Sequence, residues 1–416
     1  MKHVTTIRFR ITVWFVMIIL IANASLSFVT VVHIGKITTQ EVQKRVRFNL
    51  NSARGVYQYH VERISTLLQG AAIRFSPVQT PDGAVDPLLK EVLRSLLEEN
   101  RLDMLTVMDA NGIVLYRAHN SESQGDSLRD NAVVSLAIES NKPSQGTIVL
   151  SREQLEREHF QLAERARLQV ETTPAARSLR ESVQSEGMVI AAAVPFLTLA
   201  HGEERRGMIY GAILLNRRHE IVDRIREELF EKDKQGKKET GTATLFQGDL
   251  RISTNVLKSD GTRAVGTQMS SEVYQQVILK GQLWSKRAFV VNDWYLAAYE
   301  PIRDPRGQII GALYVGLLEE PFIRPMRLLA SVFVSMVALT TLLSLVLLTF
   351  VIRHVLSPIH TIVTMSARVI EGDLSARVGV RPPGEMGLLC ETIDKMADAV
   401  SLREERLQKA TREQIG

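Results

Sequence analysis

The stretch LWSKRAFVVNDWYLAAYEPIRDPRGQIIGALYVGL, Leu283 to Leu317, decides the fold class of this chain. Arg287 to Val291 and Trp294 to Pro301 read as two strands joined through Val291-Asn292-Asp293 as a hairpin, and Ile309 to Leu317 reads as a third. Side chains alternate across a strand, so Tyr295, Ala297 and Tyr299 share one face while Trp294, Leu296 and Ala298 share the other. Arg287 and Phe289 share a face of the preceding strand, and the hairpin can bring Arg287 beside Tyr295 and Tyr299. An arginine entering an aromatic-lined sheet needs an anionic partner, and its planar fork suits a carboxylate. The expectation is that Arg287, Tyr295, Tyr299, Trp284 and Phe289 line a site for a small organic acid. The alternative is that the rings only fill a core and Arg287 pairs with Glu300 or Asp293.

Working outward, the strand-turn-strand pattern occurs twice. Leu105 to Tyr116 carries it first and Ala243 to Thr254 repeats it. Each is followed by a helical stretch, Asn131 to Ser140 and Ser271 to Lys280, and then by further strands, Met188 to Phe196 and Met208 to Leu215 in the first case. This order predicts two modules of helix-flanked antiparallel sheet. The first contains a charged helical insertion, Ser151 to Gln184, which reads as mostly solvated surface. Ahead of both runs a long helix with one apolar stripe, Val46, Leu50, Ala53, Tyr57, Val61, Ile64, Leu68 and Ala71, suited to packing on its own domain or to a dimer seam.

With 416 residues the chain exceeds the roughly 250–300 that a single core usually holds. Ile11 to Val32 and Leu328 to Ile352 carry no charge, and each exceeds the roughly 20 residues that cross a hydrocarbon core. The first also fits a cleaved signal peptide with Ala22-Asn23-Ala24 as its site, but its apolar run continues to Val32, which favours a retained anchor. Lys2, Arg8, Arg10 and Arg353 place both termini in the cytoplasm, against a weaker contrary signal from Arg324 and Arg327. The single cysteine, Cys390, follows the second run, so the region between the two has no disulfide. The 51 Lys+Arg nearly balance 46 Asp+Glu and form no block interleaved with aromatics, so nothing points to nucleic acid.

The strand order and the run Trp294 to Leu317, with Gly241 to Asp249, resemble double Cache sensor domains of bacterial receptors, in the fused form that joins modules of two Cache subfamilies. The resemblance covers about residues 36 to 322 and is stronger in the second module. It implies PAS-like folds that bind small extracellular molecules. Residues 353 to 402 resemble a HAMP domain: Pro358 follows the membrane run, Ile359, Ile362, Ser366 and Val369 mark one helix, and Gly372-Asp373-Leu374 opens a connector. Met386, Leu389, Ile393, Met396 and Val400 step as a coiled-coil seam, which predicts a parallel four-helix bundle in a homodimer. Glu385 and Gly387 match the family's start of the second helix, and its preceding Asp is missing. The fold class expected is α+β: residues 1–10 cytoplasmic, 11–32 and 328–352 membrane helices, and 33–327 a sensor with modules at about 76–218 and 240–322. HAMP at 353–402 and a coiled-coil connector at 403–416 complete it.

No P-loop, Gly-rich nucleotide motif or His-Glu-x-x-His run occurs, and the nine His lack metal-ligand spacing. His219-Glu220 superficially resembles a phosphoacceptor pair, but it lies in the sensor, away from ATP. No catalytic residue, metal or cofactor is expected in this chain. The resemblance implies the input part of a sensor histidine kinase in the inner membrane, with the kinase core, its ATP and Mg beyond residue 416 and a response regulator as partner. A chemoreceptor and a receptor for a cyclic-dinucleotide enzyme share the same architecture. A small-molecule ligand, membrane lipid and a second copy are the other partners expected.

Overall fold

A computed structural model describes residues 7–75, 85–173, 175–177, 182–200, 203–230, 241–352 and 357–415. The expected module starts at 76 and 240 and the HAMP start at 353 lie outside the described residues. The chain divides into two compact units, one of Ile37–Ile323 and one of Met1–Lys36 with Arg324–Gly416.

In the first unit, the later part of helix α1 (Ile7–Phe75) carries the long stripe. Val46, Leu50, Ala53, Tyr57, Ile64, Leu68 and Ala71 are buried in its core, so the stripe packs on its own unit. Helix α2 (Pro87–Glu99) starts where the Asp86 carboxylate accepts from the Leu88 amide at 2.8 Å, with Pro87 in the first turn, and buries Leu89, Leu93 and Leu97. Then come β1 (Met104–Asp109), β2 (Val114–Arg117), α3 (Ala132–Ser140), β3 (Ser144–Leu150), α4 (Arg152–Glu158) and α5 (Phe160–Ala166). A short pair, β4 (Leu168–Gln169) and β5 (Val183–Gln184), precedes the long strands β6 (Gly187–Ala200) and β7 (Glu203–Leu214). Helix α6 (Glu220–Leu229) leads to β8 (Gly241–Gln247) and β9 (Leu250–Thr254). A short helix α7 (Ser271–Val273), continued as a π-helix over Tyr274–Leu279, precedes β10 (Trp284–Val290), β11 (Asp293–Arg303) and β12 (Ile309–Leu318).

The two five-stranded sheets run β2-β1-β7-β6-β3 and β9-β8-β12-β11-β10. The order is the same strand for strand, so the degenerate sequence repeat is a repeat of topology. One face of each sheet packs into a shared core with α1, α2 and α6: Leu105, Val107, Ile190 and Ile209 from the first, Leu245, Leu296, Ala298 and Val315 from the second. The opposite faces have separate cores. Met104, Met108, Ala191 and Tyr210 pack with α3, α4 and α5, while Phe246, Ala297, Tyr299 and Tyr314 pack with α7 and the π-turn. Each sheet is therefore buried on both sides, which is why every residue of β8 and β9 is buried.

The insertion Ser151 to Gln184 keeps most of its described residues accessible and anchors itself through a buried minority. Leu155, Leu162, Ala163, Ala166 and Leu168 are buried, and their charged neighbours cover the outside. Two polar contacts also join α1 to the sheets: the Arg54 guanidinium meets Glu300 of β11 at 2.6–2.7 Å, and the Tyr57 hydroxyl meets Thr147 of β3 at 2.5 Å.

In the second unit, α8 (Glu320–Val351) is the one helix among the described residues long and apolar enough to cross a membrane, with a hydropathy of 2.4. The first expected span is represented by a shorter apolar stretch of α1, Val13–Val29. Helices α9 (Ser357–Ile370) and α10 (Glu385–Ile415) enclose a small core of Met365, Ala376, Val378, Cys390 and Ala397, with Ile362, Val369 and Ile393 at its edge. The connector is held by Asp394, which accepts from the Val378 amide at 2.7 Å, and by an Arg377–Asp398 pair at 2.6 Å. Of the expected seam, Ile393 turns partly to α9 and Met386 is half-buried, while Leu389, Met396 and Val400 stay exposed. Pro358 is buried at the start of α9, and Glu385 is exposed at the start of α10.

Candidate ligand site

The α7 face of the second sheet concentrates its aromatic side chains. Tyr299 lies opposite Trp284 on β10 and opposite Tyr314 on β12. The ring centroids are 5.6 Å apart for Trp284–Tyr299, 4.7 Å for Tyr299–Tyr314 and 5.9 Å for Phe246–Tyr299, distances at which aromatic pairs attract. Tyr295 stands four residues before Tyr299 on the same face.

Into this apolar surface projects an arginine. A register shift between Leu245 and Phe246 sets Arg251 of β9 opposite Phe246 of β8, with its guanidinium 5.0 Å from the Phe246 centroid. Arg251 is only 2% exposed. One terminal nitrogen donates to the Thr267 hydroxyl, and its Nε has no acceptor. No carboxylate among the described residues pairs with it. Burial pulls its pKa down, and the only opposing groups are the phenols of Tyr299, Tyr314 and Tyr295.

One surrounding polar group is also short of a partner: the buried Trp284 Nε1 has none, and the Tyr295 and Tyr299 hydroxyls stand on the same face. Burial raises both phenols to about 12, so they stay protonated and able to donate. The Tyr314 hydroxyl instead meets Thr242 Oγ1 at 3.2 Å. A buried cation and an indole N–H, both short of an acceptor, stand with two phenols on a donor-rich surface that an anion would satisfy.

The structure separates the residues singled out in the sequence. Trp284, Tyr295 and Tyr299 stand together on this face. Arg287 and Phe289 lie on the opposite one, because the observed register places Ala288 opposite Tyr295 and Leu296 opposite Arg287. Arg287 is exposed there, stacked 3.9 Å from the Trp294 centroid and paired with Glu319 at 2.7 Å. The cation that reaches the aromatic face is Arg251, which the sequence reading passed over.

A segment from the insertion borders the site. Glu171 N donates to Gly266 O and Ser271 N to Ala175 O, both at 2.8 Å, so the segment runs along the loop that carries Thr267. Arg177 pairs with Asp249 at 2.7 Å and stacks 4.1 Å from the Tyr274 centroid. Asp249, two residues from Arg251, is thereby spent on a different cation. Among the described residues no group of three or more His, Cys, Asp or Glu is placed to hold a metal.

Comparison with known proteins agrees with this division of the chain. Residues 213–327 match the family model of single cache domain 3, and residues 350–401 match that of the HAMP domain. The chain carries a Cache-like sensor domain and a HAMP domain. The Cache match spans α6 and the whole second sheet, including Arg251. No protein of curated function matches the chain. Solved structures similar to it include the extracellular domain of rpHK1S-Z16, a protein assigned to the histidine kinases, at 10% identity and a TM-score of 0.37 over 69% of this chain and 98% of that one. The ligand-binding domain of the Pseudomonas aeruginosa PAO1 amino acid chemoreceptor PctC, in complex with GABA, is similar at 12% identity and a TM-score of 0.32 over 68% and 99%. The periplasmic domain of Vibrio cholerae LuxQ is similar at 10% and 0.32 over 67% and 99%.

Proposed function

We propose that this chain is the input part of a membrane-anchored receptor, in which the second sheet binds a small carboxylate at Arg251 and α8 and the HAMP helices pass the event to a cytoplasmic output. The observation that carries this reading is the buried Arg251, which among the described residues has no carboxylate partner and stands beside aromatic side chains. The Cache and HAMP matches support the arrangement of sensor and relay. The shared strand order of the two sheets supports a double Cache sensor. Both apolar stretches then cross the inner membrane, leaving the sensor outside. The output we favour is a histidine kinase of a two-component system. The test is calorimetry on the full chain in detergent with short mono- and dicarboxylates against their amides. Saturable heat with the acids alone is expected, and equal binding of acid and amide sinks the reading.

The relay acts as a homodimer in this proposal. Leu389, Met396, Val400 and Leu407 of α10 are exposed apolar residues on a helix whose other face already packs on α9, and a second copy would cover them. Cysteines at Leu389 or Met396, with Cys390 replaced by Ala, should therefore crosslink between copies in membranes. One at Ala397, which is buried within its own chain, should not. Uniform crosslinking at all three positions would sink the seam.

A further inference from the structure

The first sheet also buries an arginine on its helix-covered face, with the opposite outcome. Arg117 closes β2 opposite Thr106 of β1 and is 1% exposed. Nη1 and Nη2 grip the Asp126 carboxylate at 2.7 and 2.8 Å, and Nη1 also donates to the Ser123 carbonyl at 2.8 Å. Asp126 takes the two terminal nitrogens as a bidentate partner and leaves the Nε–H. Nε donates at 2.8 Å to a second carboxylate, Glu158 Oε1, whose Oε2 accepts from Thr106 Oγ1 at 3.1 Å.

The helix that carries this carboxylate does not favour it. Glu158 is the last residue of α4, where the helix carbonyls make negative charge unfavourable. It is buried, and burial drives its carboxyl pKa up against the pull of Arg117. It arrives on the insertion, carried in by α4, whose far end is fixed by a capping box of Ser151 and Gln154. The two sheets share one topology, and in each the second strand aims a buried arginine at the helix-covered face. In the second sheet that arginine has no carboxylate among the described residues. In the first, the chain supplies one.

We propose that the cleft of the first sheet is a carboxylate-binding site and that Glu158 is its tethered ligand, held by Arg117 Nε and Thr106 Oγ1 where a free acid would otherwise sit. The first module is thereby closed to free acids, and the α4–α5 insertion is pinned to it. The proposal takes its analogy from the reading of Arg251, and the test below separates the two.

The probe is acetate, which restores the atoms that Glu158→Ala removes beyond Cβ. Thermal unfolding of the full chain in detergent is compared in acetate and chloride at equal ionic strength for wild type, Glu158→Ala and Glu158→Gln. In chloride the Ala variant should melt about 5–10 °C below wild type, as breaking a buried pair does. Acetate at about 100 mM should raise its melting temperature about 3–5 °C more than that of wild type or Glu158→Gln, whose amide still fills the space. Adding Arg117→Met to Glu158→Ala should erase that extra rise. Acetate bound at Arg251 moves all these proteins alike and cancels in the comparison. Equal shifts throughout, or a rise that survives Arg117→Met, would overturn the proposal. If Glu158→Ala cannot be recovered folded in chloride, recovery in acetate supports it and failure in both salts overturns it.

Discussion

Replacing Arg251 with Met should have two opposite effects: carboxylate binding by the second sheet is lost, and the ligand-free protein becomes more stable. The first follows from the donor count. A charge-assisted contact at this site contributes on the order of 2–4 kcal/mol. Its loss weakens binding roughly 30-fold to 1000-fold. The second follows from burial. Arg251 keeps its charge out of water with Thr267 and the Phe246 ring as compensation, so the apo protein bears a desolvation cost that Met, of similar volume, does not. The melting temperature should rise by about 2–5 °C. Calorimetric titration and scanning calorimetry of the same two proteins read both effects. Arg287→Ala is the control. It removes an exposed pair with Glu319 on the opposite face, and it should leave binding unchanged and stability nearly so. If Arg251→Met binds acids like wild type, the site lies elsewhere. If it binds none but melts far lower, Arg251 is a structural residue and the gain expected from removing a desolvated charge is refuted.

The sequence had pointed to Arg287, and the reason for the difference lies in the sheet's surroundings. In Leu250 to Thr254, Leu and Ile alternate with Arg and Ser, the pattern of a strand with one wet face. Alternation reveals that the two faces differ, but not that α7 and the π-turn cover the polar one. The register shift that puts Arg251 opposite Phe246 has no sequence mark either. Arg287, by contrast, sits in sequence among aromatics and is turned from them by one step of the pleat. A usable signal was present in the repeat, since Arg117 and Arg251 fall on the same strand of the two modules. The strands themselves were legible because their runs are long, rich in β-branched and aromatic residues, and bounded by turn residues. Helix α2 was missed because Leu89, Leu93 and Leu97 form a narrow stripe beside the residues 76–84, whose Pro and Gly read as loop. The insertion's buried anchor went unread for a related reason: its charges outnumber the few apolar residues that hold it. In α10 the expected seam includes Ile393, which the structure turns partly to α9 beside Cys390, and a heptad alone does not distinguish two apolar faces so close together.

Gly387→Ala should open the connector of the HAMP-like unit, whereas Gly384→Ala three residues earlier should not. A Cβ on Gly387 would stand 2.1 Å from the carbonyl oxygen of Pro382, a backbone atom that cannot swing aside. Either the connector moves by about an ångström or the first turn of α10 unwinds, losing the bonds from Gly387 N and Leu388 N to Gly384 O. Both displace the connector relative to Cys390 and Asp394, which hold it from α10. Gly384 has φ +78°, where an Ala pays about 1–2 kcal/mol of backbone strain, but its Cβ would meet nothing within 4 Å. Local opening is readable at Arg377. Its guanidinium is tied to Asp398 and to the Leu374 and Ala376 carbonyls, which keeps the chain after it from a protease. Tryptic cleavage there should accelerate at least about tenfold in Gly387→Ala, the equivalent of about 1.4 kcal/mol of local stability, and by much less in Gly384→Ala. Equal rates in the two variants would mean that the close approach of Gly387 to Pro382 is not what fixes the connector. Faster cleavage in Gly384→Ala alone would assign the connector's order to the left-handed turn before α10.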